Sequence, residues 1–424
     1  QQNLFFTMLV PGKIPKKEPL IRVGIILPED QIDQITITLS DIESYEMETD
    51  MMHYPSCKNH NKISIIVKDN ELFVSSINLK TSKVVFSPHL SDDLPNITLP
   101  NIIAGRGFHW EKSIKVQYWG KIELSIIEGK LIVINELPLE QYLNCVTTSE
   151  MSPTCPPEFL MAQAIVARSW LLANSEQKHR DLGIDICNDD CCQRYQGINN
   201  CNESTIMHIK NTYGKVIIYD NKICDARYSK SCGGVTEDYD NVWAGSPVPY
   251  LTSIKDQNRN GNIYCDPQNI PNKSVKRYIG KVDTNDEYFR WEYIVKHENL
   301  INSIRKNFQI DINKILKLNP LHRGNSGRII KLGIDYYNTK NQLQTLVIDS
   351  EYNIRNILSE SFLFSSAFTV NEQNGDFILN GKGWGHGVGL CQIGALSMAL
   401  SDKKAKEILN HYYPKTHLKT IYKS

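Results

Sequence analysis

The chain predicts an α+β fold, a twisted and mainly antiparallel sheet packed around one buried helix, with a small β-rich module inserted. Three observations predict it. Short β-type runs closed by turn residues fill the first third, two hairpin signals follow, and the stretch from Glu158 to Ala173 has a strong helical pattern.

Taken in order, residues 1–28 form an N-terminal segment that ends in the first core strand, Ile21–Leu27, a short apolar run closed by Pro28. Residues 29–106 read as the inserted module, with runs at Ile63–Lys68, Leu72–Ile77 and Lys83–Ser87. Residues 107–424 form the main core, with a variable insertion at about 256–344. Ile122–Ile127 and Lys130–Asn135 flank Glu128-Gly129, and Val216–Tyr219 and Lys222–Tyr228 flank Asp220-Asn221, both tight-hairpin signals.

Pro156 and Pro157 suit the first turn of the main helix, where a missing N–H costs nothing. Leu160, Ala164, Ala167 and Leu171 then share one face, and Phe159, Ile165, Val166 and Trp170 widen it, so the helix is expected to be buried on most sides. Arg168 is the polar exception. In the later insertion, Leu300–Leu316 reads as helix and Arg328–Tyr336 as strand, with the turn signal Gly324–Gly327 between them.

Composition narrows the function. The 424 residues carry 47 basic and 47 acidic side chains, so no net field draws the chain to nucleic acid or an anionic membrane. No apolar run reaches the length of a membrane span. The start Gln1-Gln2-Asn3, without methionine, fits removal of a signal peptide or a trimmed chain; the first is the expectation. The 11 cysteines suit an oxidising compartment in which pairs could bridge, with a connectivity the spacing leaves open.

Glu150 lies just ahead of the main helix and reads as a residue at a helix entrance. Burial there would raise its pKa towards that of a general acid, while the positive end of the helix would favour its ionised form. A buried Arg168 must be paired or reach an open cleft. His179, Cys187 and the Cys191-Cys192 pair offer thiolate and imidazole ligands suited to tetrahedral zinc, with disulfides as the alternative. In Gly383–Gly389, four glycines alternate with Trp384, which could stack on a sugar face, His386, which could bond its hydroxyls or Glu150, and Val388. No P-loop spacing accompanies these glycines. A Cys391 nucleophile beside this loop lacks a third orienting group.

The stretch Leu137–Asn174, the segments Ser231-Cys232-Gly233-Gly234, Val242-Trp243 and Pro249-Tyr250-Leu251, the Gly383–Leu390 loop with Gln392 and Gly394-Ala395, and Ile408–Pro414 together resemble the stage II sporulation protein D family, which also takes in amidase enhancers. The motifs cover roughly residues 107–255 and 345–415. The resemblance implies a peptidoglycan lytic transglycosylase with Glu150 as its catalytic acid, and Arg168, Tyr250, Trp384, His386 and Gln392 contacting substrate. It also implies zinc on His179, Cys187 and Cys192, with Cys191 a competitor; such a zinc would be structural, and the chemistry requires none. Peptidoglycan strands free of stem peptides would be the substrate, a cell-wall amidase a partner, and the envelope outside the cytoplasm the location. A non-catalytic wall-binding amidase enhancer and a peptidoglycan hydrolase are the rivals; a hydrolase needs a second carboxylate, for which Asp238 and Asp240 are the nearest candidates by motif.

Overall fold

Seven strands form the first sheet, in the order Ile186–Cys187, Leu20–Ile26, Lys130–Pro138, Lys121–Ile127, Lys83–Pro88, Tyr45–Thr49 and His53–Tyr54. The computed structural model describes residues 8–423 apart from 56, 58–60, 90–93, 109, 174, 271 and 281–286, and apart from the side chains of 272–274. Gln1–Asn3 and Asn174 therefore lie outside the described residues. Every pairing in this sheet is antiparallel except that of Ile186–Cys187 with Leu20–Ile26. The α+β class is thus the observed one.

Both hairpin turns form where the sequence marks them. Ile127 pairs with Lys130, and the two residues between them, Glu128 and Gly129, both have positive φ. Tyr219 pairs with Lys222 across Asp220 and Asn221, also both positive. Two successive left-handed residues match the twist of the flanking strands.

A six-stranded sheet (Lys112–Tyr118, Ile97–Ala104, Gln34–Leu39, Lys62–Lys68, Glu71–Val74, Leu79–Thr81) packs against the first. Its alternating strands bury Ile35, Ile37, Ile63, Ile65, Leu72 and Val74 in the same core as Val23, Leu124 and Val133. Strands of the 29–106 stretch thus divide between the two sheets and share their hydrophobic core with the rest of the chain. The reason is the register: Phe86 and Val84 pair directly with Ile122 and Leu124.

The main helix spans Pro157–Ala173 and contributes to two cores. Ala164, Ala167, Leu171 and Leu172 enter the sheet core. Phe159, Leu160, Ala162, Ile165 and Val166 enter a second core with Leu390, Leu396, Ile408 and Tyr412. A third core lies within residues 291–379, where two three-stranded antiparallel sheets enclose Trp291, Ile304, Leu332, Ile354 and Leu379. This unit runs past residue 344, because Phe368–Gln373 and Asp376–Lys382 complete the sheet begun by Arg290–Val295.

Three expectations change. The helix read as Leu300–Leu316 is His297–Phe308; Gln309 turns left-handed and strand resumes at Lys314. A helix over Leu139–Glu150 precedes the main one, so Glu150 ends a helix instead of opening one. The third concerns the cysteines: no disulfide joins any of the 11 in this structure, and most gather in clusters. No helix among the described residues is long and apolar enough to cross a membrane.

Candidate functional site

Glu150 is placed by the way its helix stops. Met151 is extended, and Ser152 precedes Pro153, a position that disfavours helical backbone. The Leu139–Glu150 helix therefore breaks there, and Pro157 starts the next one. Glu150 sits at the carbonyl end, where the helix dipole opposes a negative charge. Its side chain is only 8% exposed and lines a cleft of about 710 Å³.

A short strand, Tyr228–Ser229, runs beside it, paired in parallel with Leu390–Cys391 at the end of the glycine-rich loop. Residues two apart in extended chain point the same way. The Tyr228 hydroxyl accordingly donates to Glu150 Oε1 at 2.7 Å, and Lys230 Nζ donates to the Glu150 carbonyl at 3.0 Å. From the other side, the Arg194 N–H donates to the same Oε1 at 3.0 Å, and the Gln196 N–H to Ser149 Oγ at 3.0 Å. Burial, and then the charge of Asp190, push the Glu150 carboxyl above the ordinary carboxylate range; Arg194, Lys230 and the Tyr228 hydroxyl pull it partly back. Asp190 itself is gripped on both oxygens by Arg194, at 3.0 and 2.9 Å.

The glycine-rich loop forms the facing wall. Trp384 lines the cleft with one face covered by Phe364, ring centroids 4.2 Å apart. His386 accepts the Val388 N–H on Nδ1 at 3.0 Å, so its hydrogen sits on Nε2. Burial and the cations Arg227, Arg328 and Arg355 hold its pKa well below the usual value, so it is neutral at pH 7. Glu150 takes its hydrogen bonds from Tyr228 and Arg194, not from His386. Gln392, also on the cleft, opens the Gln392–Leu400 helix and donates to Gln163 at 3.3 Å. At Gly389, φ is +73° and a Cβ would overlap the Arg227 carbonyl oxygen, which accepts the Leu390 N–H. Gly389→Ala is expected to cost at least about 1–3 kcal/mol, read as a lower midpoint in urea unfolding.

Two residues expected at the site lie apart from it. Arg168 is 0% exposed and is consumed by structure: it donates to both oxygens of Glu140, to the Lys215 carbonyl and to Thr212 Oγ1. Its helical position turns it towards the Lys215–Tyr219 strand and not towards Glu150. Tyr250 does not line the cleft; its hydroxyl accepts the Asp225 N–H at 3.0 Å and its ring tilts against Tyr219. Asp238, one candidate second carboxylate, is bound to Ser253 N and Asn325 Nδ2, and neither it nor Asp240 lines the cleft.

His179, Cys187 and Cys192 do converge, and Cys191 joins them, all four ligand atoms lying within 4.8 Å of one another. Cys191 lies as near as the other three: the turn closed by Cys192 N–H to the Asp189 carbonyl brings both neighbouring thiols to one side. Three thiols and an imidazole are a donor set that fits a closed tetrahedral zinc site. His179, Cys191 and Cys192 also edge the cleft.

Tyr228, Arg194, Asp190 and Lys230 had no signal of their own in the sequence; only the i, i+2 spacing of Tyr228 and Lys230 could have suggested a shared face. Two aromatics pinned by cations, Trp110 over Arg194 at 4.3 Å and Trp243 over Arg227 at 4.2 Å, complete the walls.

Comparison with known proteins bears on this cleft. Residues 127–219 match the family model described as Stage II sporulation protein, and residues 237–389 match one described as Domain of unknown function (DUF8618). An uncharacterised protein of Brachyspira hyodysenteriae is 28% identical over 298 residues, covering 70% of this chain and 71% of its own. The amidase enhancer of Bacillus subtilis is 28% identical over 299 residues, 65% of this chain but 40% of that protein. Stage II sporulation protein D of Bacillus amyloliquefaciens is 26% identical over 296 residues, 66% of this chain and 74% of its own.

Proposed function

The chain belongs to the stage II sporulation protein D and amidase enhancer family, and from that premise we propose that it acts on the cell wall as a peptidoglycan lytic transglycosylase with Glu150 as its acid. The observation that carries the reading is the buried Glu150 carboxyl, raised above the ordinary carboxylate range, in an aromatic-walled cleft.

Both hydrogen bonds fall on Oε1, which leaves the transferable proton to Oε2. Protonated Glu150 gives that proton to the oxygen joining N-acetylmuramic acid to N-acetylglucosamine. The bond from this oxygen to the muramic anomeric carbon breaks, and positive charge builds on that carbon. The sugar's own C6 hydroxyl attacks it and returns its proton to the Glu150 carboxylate. A 1,6-anhydro ring closes, the glucosamine leaves with a free 4-hydroxyl, and the acid is regenerated. An internal nucleophile needs no second carboxylate to activate water. That suits a cleft in which Asp190 already has both oxygens engaged by Arg194.

Trp384 and Trp243 offer apolar faces and edges for pyranose rings, and neutral His386 with Gln392 offers hydrogen bonds to hydroxyl or acetamido groups. His179, Cys187, Cys191 and Cys192 would hold a zinc ion, whose contribution is to fix their segment. Arg194, two residues beyond Cys192, would thereby keep its N–H on Glu150.

The deciding experiment digests purified peptidoglycan, intact and stripped of stem peptides, and reads the ends by mass spectrometry. Anhydro-muramyl ends support the reading; reducing ends make the protein a hydrolase. The relative named amidase enhancer keeps one rival open, a glycan-binding stimulator of a cell-wall amidase. Binding with no cleavage of either substrate would favour it.

Tyr228→Phe separates the acid from its neighbour. The phenol hydrogen bond favours ionised Glu150, so its loss raises the carboxyl further. The alkaline limb of the pH–rate profile is expected to move to higher pH.

A further inference from the structure

Cys232, Asp256, Cys265 and Cys391 come from three distant parts of the chain and meet at one point. Each is at most 1% exposed, and their ligand atoms all lie within 4.8 Å of one another. We infer that these four residues form a second metal site, closed and buried, for a zinc-class divalent cation, and that it fastens the 232–265 segment to the start of the Gln392–Leu400 helix.

The geometry matches the donor set. Zinc–sulfur bonds of about 2.3 Å in a tetrahedron set the sulfurs roughly 3.8 Å apart, and Cys232 Sγ lies 3.7 Å from Cys265 Sγ. Asp256 Oδ2 faces the sulfurs, 3.2 Å from Cys232 Sγ. Its other oxygen is held by the Tyr412 hydroxyl at 2.7 Å and by His411 Nε2 at 3.2 Å, the kind of outer contact that orients a ligating carboxylate.

Backbone donors are aimed at the sulfurs. Cys391 Sγ accepts the N–H groups of Cys232 and Gly394, at 3.3 and 3.4 Å, and Cys232 Sγ accepts that of Gly234 at 3.4 Å. Such donors stabilise sulfur as thiolate. Three thiolates and a carboxylate around a divalent ion leave two negative charges. Two guanidiniums flank them: Arg328 donates to the Cys232 carbonyl at 3.4 Å and Arg290 to the Gly233 carbonyl at 3.1 Å. A disulfide serves the site less well, since it would join two of three sulfurs and leave a thiol against a buried carboxylate.

The site's place in the fold gives it a task. Cys391 caps the Gln392–Leu400 helix by accepting the Gly394 N–H, and Gln392 lines the cleft. The cation would therefore hold the Gln392 side of the cleft to the segment that carries Trp243.

The test is metal analysis of the full chain purified under reducing conditions, for wild type, Cys265→Ser and the double variant His179→Ala/Cys191→Ser. Cys265→Ser is expected to hold one zinc equivalent fewer than wild type, and the double variant to keep one. Unchanged metal in Cys265→Ser, or none in a folded double variant, would overturn the inference. So would a disulfide-linked peptide joining any two of Cys232, Cys265 and Cys391 in unreduced protein. Should Cys265→Ser fail to fold, the double variant and the peptide map decide alone. None of these readouts depends on glycan cleavage, so the proposed chemistry can fail without touching this site.

Discussion

Glu150→Gln is expected to slow the release of anhydro-muramyl ends from stem-peptide-free peptidoglycan by about 10²–10⁴-fold, the usual contribution of a positioned acid–base group. The amide keeps an oxygen to accept from Tyr228 and Arg194, so the fold has no reason to suffer. Stability should instead move the other way. The folded-state pKa of Glu150 is raised. A group raised in this way contributes stability that is fully present below its unfolded pKa and is lost as pH rises through its folded pKa. Wild type therefore carries a buried charge at high pH that Gln does not. The variant's melting temperature should exceed that of wild type at pH 8, and the gap should close towards pH 4. A variant that is both inactive and less stable at pH 8 would mean that Glu150 holds the fold and is not an acid tuned by burial.

Arg168→Ala carries the largest expected loss of stability, roughly 3–5 kcal/mol, because removing one member of a buried pair strands the other. Glu140 would keep the Tyr422 hydroxyl and the Gly214 N–H, but it would lose both guanidinium bonds. The Lys215 carbonyl and Thr212 would also lose donors. Urea unfolding measures the loss. A second readout separates this role from substrate contact: below the variant's melting temperature its affinity for glycan should equal that of wild type. A stable variant with weakened glycan binding would return Arg168 to the cleft.

Much of this was legible in the chain because it is local. Glu128-Gly129 fixes a two-residue turn by backbone conformation alone, and the apolar positions from Phe159 to Leu172 fix a buried helix. The Leu139–Glu150 helix was not legible: Thr147, Thr148 and Ser149 are poor helix formers, and tertiary burial outweighs them. Reading Glu150 at the wrong helix end followed, and with it the wrong sign for the dipole. The His179 cluster could be seen because its members lie close in sequence. The Cys232 cluster could not, since nothing local joins residues 232, 256, 265 and 391. A buried Arg168 requires a partner, but a pattern cannot say whether that partner is Glu140 or a substrate.

The Pro157–Ala173 helix inserts one face into the sheet core and the other into the core behind the glycine-rich loop. Neither core can shed it without exposing the other, so these two parts of the molecule melt as one cooperative unit. The 291–379 unit takes no share of that helix and encloses its own apolar interior. It brings Glu351, Tyr352, Arg355, Phe362 and Phe364 to the cleft, and buried Arg328 ties it to the Gly385 and Cys232 carbonyls. A substitution that loosens the 291–379 core is therefore expected to disturb this wall of the cleft before it disturbs the residues around Glu150.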